Sequence, residues 1–233
     1  MPAEVIRRQA VWSGRLRFTH WVIALTSLLL LASGWLLSAD NRVPAPGFHP
    51  VHATAGYVLG LALCVRVWLL IFGRGPEHWR DLIPRATQLR SAGAMLRFYL
   101  TGGRAPLPAY YAHNPLWGPI YLLLFGVLAA QVASGLYWLH AGPADRDYYQ
   151  ALPWLFGWTL PEWHMAGYHC IGIFSIVHVV AVFWHDWKGG NSEISAMVHG
   201  HKYFIVRRPA DLFPVELAHL RKKPGRRDAS RGQ

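Results

Sequence analysis

The sequence predicts an all-α membrane protein, a four-transmembrane-helix bundle with both termini on the cytoplasmic side. Of its 233 residues, 53% are hydrophobic and only 15% charged, and the apolar residues gather into four long runs where a soluble domain would spread them. Each run has about the 20 residues that a helix rising 1.5 Å per residue needs to cross a hydrocarbon core of about 30 Å. The basic residues lie almost entirely in three of the five segments outside the runs, which gives the topology.

The first run is "FTHWVIALTSLLLLASGWLL", residues 18–37. Arg7, Arg8, Arg15 and Arg17 precede it, as they would a secretory signal. The run is longer than a signal core, however, and the polar "SADNRVP" that follows offers no small-residue cleavage site, so it reads as a retained helix. The second run is "VHATAGYVLGLALCVRVWLLIF", residues 51–72; the third covers residues 116–139 and the fourth about 165–184. Between the second and third lies a long loop with an apolar spacing at Leu89, Met95, Leu96 and Tyr99, which predicts a short helix lying on the membrane surface. The aromatic-rich "GWTLPEWH" before the fourth run reads as an interface belt or a docking surface. Residues 206–233, ending in "RKKPGRRDASRGQ", read as a basic, partly disordered tail that seeks anionic headgroups.

Of the 23 Lys and Arg residues, all but Arg42, Arg66 and Arg146 fall in the N-terminal segment, the long middle loop or the segment after the fourth run. The positive-inside rule therefore puts both termini and the middle loop in the cytoplasm. The net charge of +11 is accounted for by topology and lipid headgroups, and no folded basic face is predicted that would serve a nucleic acid. Cys64 and Cys170 lie inside runs, with no Cys-x-x-Cys-His for covalent c-type haem; they are expected to be buried packing thiols. The chain has no metal-thiolate site, nucleotide loop or nucleophile constellation with which to oxidise a substrate itself.

Histidines inside the runs carry the chemistry. In "EWHMAGYHCIGIFSIVH", His164 and His178 are fourteen residues apart, which at 100° per residue puts both on one helix face about 21 Å apart. His169 points elsewhere. The same interval links His20 to Gly34 in the first run and His52 to Arg66 in the second. Chain direction then allows His20 to face His178 near the cytoplasmic side and His52 to face His164 near the outer side. Two facing neutral imidazoles with a flat gap between them are what bis-histidine haem b requires. Gly34, Gly56 and Gly60 offer the gap, since a missing Cβ lets a large ring approach the backbone. Arg66, level with the inner site, needs a partner for its charge, and a haem propionate suits it.

Taken singly, a histidine near a helix end is an interfacial group bonded to headgroups; four at matching depths are a set. His49 competes with His52 but precedes Pro50 and lacks a glycine stripe in register. His185 reads as interfacial in the polar "HDW" boundary, and His78, His140 and His219 as ordinary loop or tail residues. A different class of function, a transporter with a histidine relay, would want ionisable groups strung continuously across the membrane, whereas here they cluster at two depths.

The stretches "RFTHW", "VHATAGYVLGLALCVRVWLLIFG", "AHNPLWGPIYLLL", "WHMAGYHCIGIFSIVH" and "SEISAMVHGHKYF" together resemble the b-type cytochrome subunit of membrane-bound nickel-iron hydrogenases and, more broadly, the cytochrome b561 and formate dehydrogenase gamma superfamily. The resemblance covers about residues 15–205. It implies a dihaem cytochrome b domain over residues 1–205, with His20, His52, His164 and His178 as axial ligands of two haem b. It also implies electron transfer between a redox partner on the outer face, such as a hydrogenase small subunit, and membrane quinone, with the chain anchoring that partner in the bacterial inner membrane. Asn114 in "AHNP" matches a position beside the quinone pocket of relatives, and equally suits a helix cap before Pro115. A stand-alone cytochrome b561-type carrier is the nearest alternative within the superfamily.

Overall fold

A computed structural model describes residues 5–38, 47–108, 110–142, 157–189 and 192–206. Residues 207–233 of the predicted basic tail, Arg42 and Arg146 lie outside the described residues, and so does His219. Strand β1 (Val5–Ala10) leads into α1 (Gly14–Ser38), α2 (Phe48–Phe72), two 3-10 turns (Gly75–Glu77 and Trp79–Asp81), α3 (Ala86–Leu100), α4 (Trp117–His140), α5 (Leu160–Gly189), α6 (Glu193–His199) and β2 (His201–Val206). Four of these helices, α1, α2, α4 and α5, are long and apolar enough to cross a membrane.

The spanning helices form a ring: α1 packs on α2, α2 on α4, α4 on α5, and α5 closes sparsely on α1. Their shared interior is small, with Leu59, Leu63, Leu128 and Ile171 at its centre. Leu25, Leu29, Leu61, Val65, Ile173, Ile176 and Val180 face outward, the reverse of a soluble bundle and what lipid favours. Three hydroxyls of α1 are satisfied by their own helix: those of Thr19, Thr26 and Ser33 donate to the carbonyls four residues back, at 2.7–2.8 Å, which spares them an unpaired state in hydrocarbon.

Three expectations need correction. The fourth spanning helix does not stop at the polar "HDW" but runs 30 residues, about 45 Å at 1.5 Å per residue. It starts where the Glu162 carboxylate accepts from both the backbone and hydroxyl of Thr159, and at its other end Asp186 accepts the Ile194 N–H at 3.0 Å, tying α5 to α6. Cys64 and Cys170 are exposed on the bundle surface instead of buried, because a helix immersed in lipid can turn a thiol outward without penalty. Gly60 serves helix packing: a Cβ there would lie 3.1 Å from Val132 of α4.

The sheet has no counterpart in the sequence reading. β1 and β2 pair antiparallel from Val5↔Val206 to Ala10↔His201, so the chain's two described ends meet at one end of the bundle, hereafter the sheet end. Lys202 in β2 is buried and its ammonium donates to Glu193 at 2.7 Å and to the Ala112 carbonyl at 3.1 Å, over the ring of Tyr110 at 4.6 Å. Burial lowers the Lys202 pKa, and the Glu193 carboxylate opposes that shift. The middle-loop helix exists as α3, but Met95 and Phe98 turn into the protein while Leu89 and Leu96 stay exposed.

Candidate functional site

The four histidines fall into two pairs at different depths. At the sheet end, His20 of α1 and His178 of α5 face each other with ring centroids 6.4 Å apart. His20 Nδ1 is buried and has no hydrogen-bond partner. Phe174 stacks on His178 at 5.6 Å and Tyr121 meets it edge-on at 5.9 Å. Arg66 of α2 lies within electrostatic reach of His20. Its guanidinium donates to the Glu77 carbonyl at 2.9 Å and sits 5.2 Å from the Phe125 ring centre, with the Glu77 carboxylate within electrostatic reach.

At the far end, His52 of α2 and His164 of α5 are electrostatic neighbours on helices that lie diagonally in the ring. His52 Nδ1 is 2.8 Å from Ser33 Oγ of α1. His164 Nδ1 is likewise 2.8 Å from Ser134 Oγ of α4. A Cβ on Gly34 would come 3.4 Å from His52 Cε1, and one on Gly135 would come 3.3 Å from His164 Cε1. Gly34 therefore lies where the fourteen-residue interval placed it; Gly56 borders open space. His49 and His169 are exposed.

Sequence reasoning missed Ser33, Ser134 and Gly135. The signal was present as a repeated tripeptide, Ala-Ser-Gly, at residues 32–34 and 133–135. It also misjudged His185, which is only 4% exposed. Its Nε2 is 2.6 Å from the Tyr99 hydroxyl and its Nδ1 3.0 Å from that of Tyr110, while Trp117 donates to Tyr99 at 2.7 Å. The phenols come from α3 and the loop before α4, beyond the reach of a helix-periodicity argument. Burial pushes the Tyr99 phenol up, against the pull of the Trp117 hydrogen bond. Burial and the Glu193 carboxylate push Tyr110 up as well. Asn114 acts as the cap its sequence allows, with Oδ1 accepting the Leu116 N–H at 2.9 Å. Its Nδ2 is buried beside Tyr99 without completing a hydrogen bond.

Residues 11–200 match the family model described as "Prokaryotic cytochrome b561". The chain belongs to the prokaryotic cytochrome b561 family. Among similar curated proteins, three named "Probable Ni/Fe-hydrogenase B-type cytochrome subunit" come from Azotobacter vinelandii, Rhodobacter capsulatus and Cupriavidus necator. The first is 30% identical, covering 88% of this chain and 94% of its own. The second is 27% identical over 86% and 85%, the third 26% over 85% and 88%. No solved structure matches.

A cytochrome b561 carries b-type haem, and the residues present suit it. With two metal–nitrogen bonds of about 2 Å each added to the radii of two imidazoles, bis-histidine ligation sets the rings roughly 6 Å apart, and His20 and His178 stand at 6.4 Å. Among the described residues, no group of three or more His, Cys, Asp or Glu could hold a bare metal ion. His20 and His178 would hold the iron of such a haem, which would supply one-electron chemistry there.

Proposed function

We propose that this cytochrome b561 binds two haem b, one between His20 and His178 and one between His52 and His164, and passes electrons between an outer-face redox partner and the membrane quinone pool. The observation that carries the reading is the facing pair His20–His178 at 6.4 Å, with His20 Nδ1 buried and unpaired, in register with a second pair fourteen residues along α5. Each haem supplies a one-electron carrier; the chain supplies ligands, spacing and electrostatics. Gly34 and Gly56 keep side chains out of the far-end ring plane, and Arg66, which has further N–H donors beyond the one given to Glu77, serves a propionate at the sheet-end site.

The partner is a nickel-iron hydrogenase, which the chain anchors; the names of the similar proteins support this. The inner-membrane location and cytoplasmic termini rest on the charge distribution. Under that orientation the sheet end is cytoplasmic. Quinone binds there beside Asn114, whose buried, unpaired Nδ2 next to the Tyr99 hydroxyl gives a carbonyl oxygen a donor.

The test is a reduced-minus-oxidised spectrum of the detergent-purified chain with a pyridine haemochromogen count. Two b haems per chain are expected; a chain without haem would return the histidines to a relay role. Asn114→Ala should keep both haems and lose their reduction by a soluble quinol, and reduction at the parent rate would remove Asn114 from the quinone site.

A further inference from the structure

We propose that Ser33 and Ser134 are positioning residues that fix His52 and His164 with Nε2 free for iron, and that they hold this site at a lower reduction potential than the His20–His178 site. The proposal rests on the two-haem reading above.

A serine hydroxyl has one hydrogen and two lone pairs. Ser33 Oγ donates its hydrogen to the Leu29 carbonyl at 2.7 Å, and Ser134 Oγ donates to the Gln131 carbonyl at 3.1 Å. Each oxygen therefore meets its histidine with a lone pair, so the hydrogen in the 2.8 Å contact belongs to the ring. An imidazole that donates through Nδ1 carries its own lone pair on Nε2, the form a metal ligand needs. The adjoining glycine completes the seat. Cε1 of each ring lies where a Cβ on Gly34 or Gly135 would be at 3.4 or 3.3 Å, so a larger residue would push the ring off this line.

Both seats are built from the same Ala-Ser-Gly tripeptide, on α1 for the histidine of α2 and on α4 for the histidine of α5. Two different helix pairs repeat one contact between the same atoms at the same length.

The electronic consequence has a definite sign. Donation from Nδ1–H makes the imidazole more basic and favours the oxidised metal, which lowers the potential. The sheet-end pair lacks this arrangement: His20 Nδ1 is buried without a partner, and the described contacts of His178 are with rings. Arg66 beside His20 acts with the same sign, since a positive charge favours the reduced, less positive state. One electron passed from the far-end site to the sheet-end site thus moves toward higher potential, with no bond made or broken. The chain's own residues set a direction toward Asn114 and Tyr99.

The experiment is a potentiometric titration of the purified full-length chain, with haem counted per chain in every sample. The parent should show two components. Ser33→Ala and Ser134→Ala should each raise the low component, changing its ferric-to-ferrous ratio at fixed potential by about tenfold, or 59 mV for one electron, with the high component unmoved. Ser33→Thr, which keeps the hydroxyl, should titrate as the parent. Selective loss of the low component in Ser33→Ala, retained in Ser33→Thr, would equally support the assignment. An unmoved low component, an equal shift of both, or a shift of the high component alone would overturn it. A parent chain with fewer than two haems would instead overturn the two-haem reading, and the count reports that separately.

Discussion

At the far end of the bundle each histidine is tied to a serine and backed by a glycine, whereas at the sheet end His20 and His178 are enclosed by rings and a buried arginine. The far-end seats use only neighbouring spanning helices, so their geometry follows from helix packing. The sheet end is assembled from pieces far apart in sequence. Glu77 accepts hydrogen bonds from Ser13 and from Arg15, and its carbonyl accepts one from Arg66, while β2 brings Lys202 down beside Tyr110. The difference teaches that one end is organised to fix the orientation of two imidazoles, and the other to bury charge and phenols beside its histidines.

The sharpest break in the comparison is removal of a proposed haem ligand. If the two-haem proposal holds, His178→Ala should leave one haem per chain, the one between His52 and His164. A variant retaining both would show the pairing to be wrong, and His164→Ala should give the opposite residual component.

The next effect concerns how the sheet end holds its charge. Glu193→Gln leaves the Lys202 ammonium, 1% exposed on its side chain, without its anion, and removal of one partner from a buried pair costs about 3–5 kcal/mol. Thermal unfolding in detergent should fall accordingly, and amide exchange across β1 and β2 should rise first. A far-end haem spectrum that changed as much as the sheet-end one would argue against two separately built ends.

Glycine substitutions sharpen the contrast further. Gly135→Ala crowds the His164 ring, so it should perturb the spectrum of one haem only. Gly60→Ala crowds Val132 between α2 and α4 and should cost about 1–3 kcal/mol with both haem spectra intact. If Gly60→Ala altered a spectrum, that glycine would belong to a haem seat after all.

The smallest effect is the part of the pH dependence that His113 contributes at the sheet end. His113 is held below its ordinary value of 6.5 chiefly by burial, with the Asp81 carboxylate opposing; the two are 2.7 Å apart. The unfolded chain therefore binds more protons than the folded one as pH falls through about 6.5, and folding stability is lost over the window below that value. His113→Gln should flatten the unfolding temperature across pH 5 to 7, and an unchanged slope would place the titration elsewhere.

Four spanning helices were legible because lipid imposes a length and an apolar composition on each, and both survive in a linear string. The histidine pairs were legible for a related reason: fourteen residues is nearly four helical turns, so depth and face follow from position alone. Gly34 came with them, through its interval from His20. Other features depend on which helices become neighbours. Ser33 and Ser134 are ordinary lipid-compatible serines until α1 meets α2 and α4 meets α5. His185 reads as a boundary residue until α3 and the loop before α4 bring two phenols to its ring nitrogens, and the burial of Lys202 depends on two strands closing over the bundle. Sequence by itself determined the spans and the depth of the four imidazoles, because these are one-dimensional consequences of helix geometry in a slab of lipid. Tertiary structure alone decided which atoms answer each imidazole, because a hydrogen bond of 2.8 Å is set by the approach of two helices that the chain does not order by proximity in sequence.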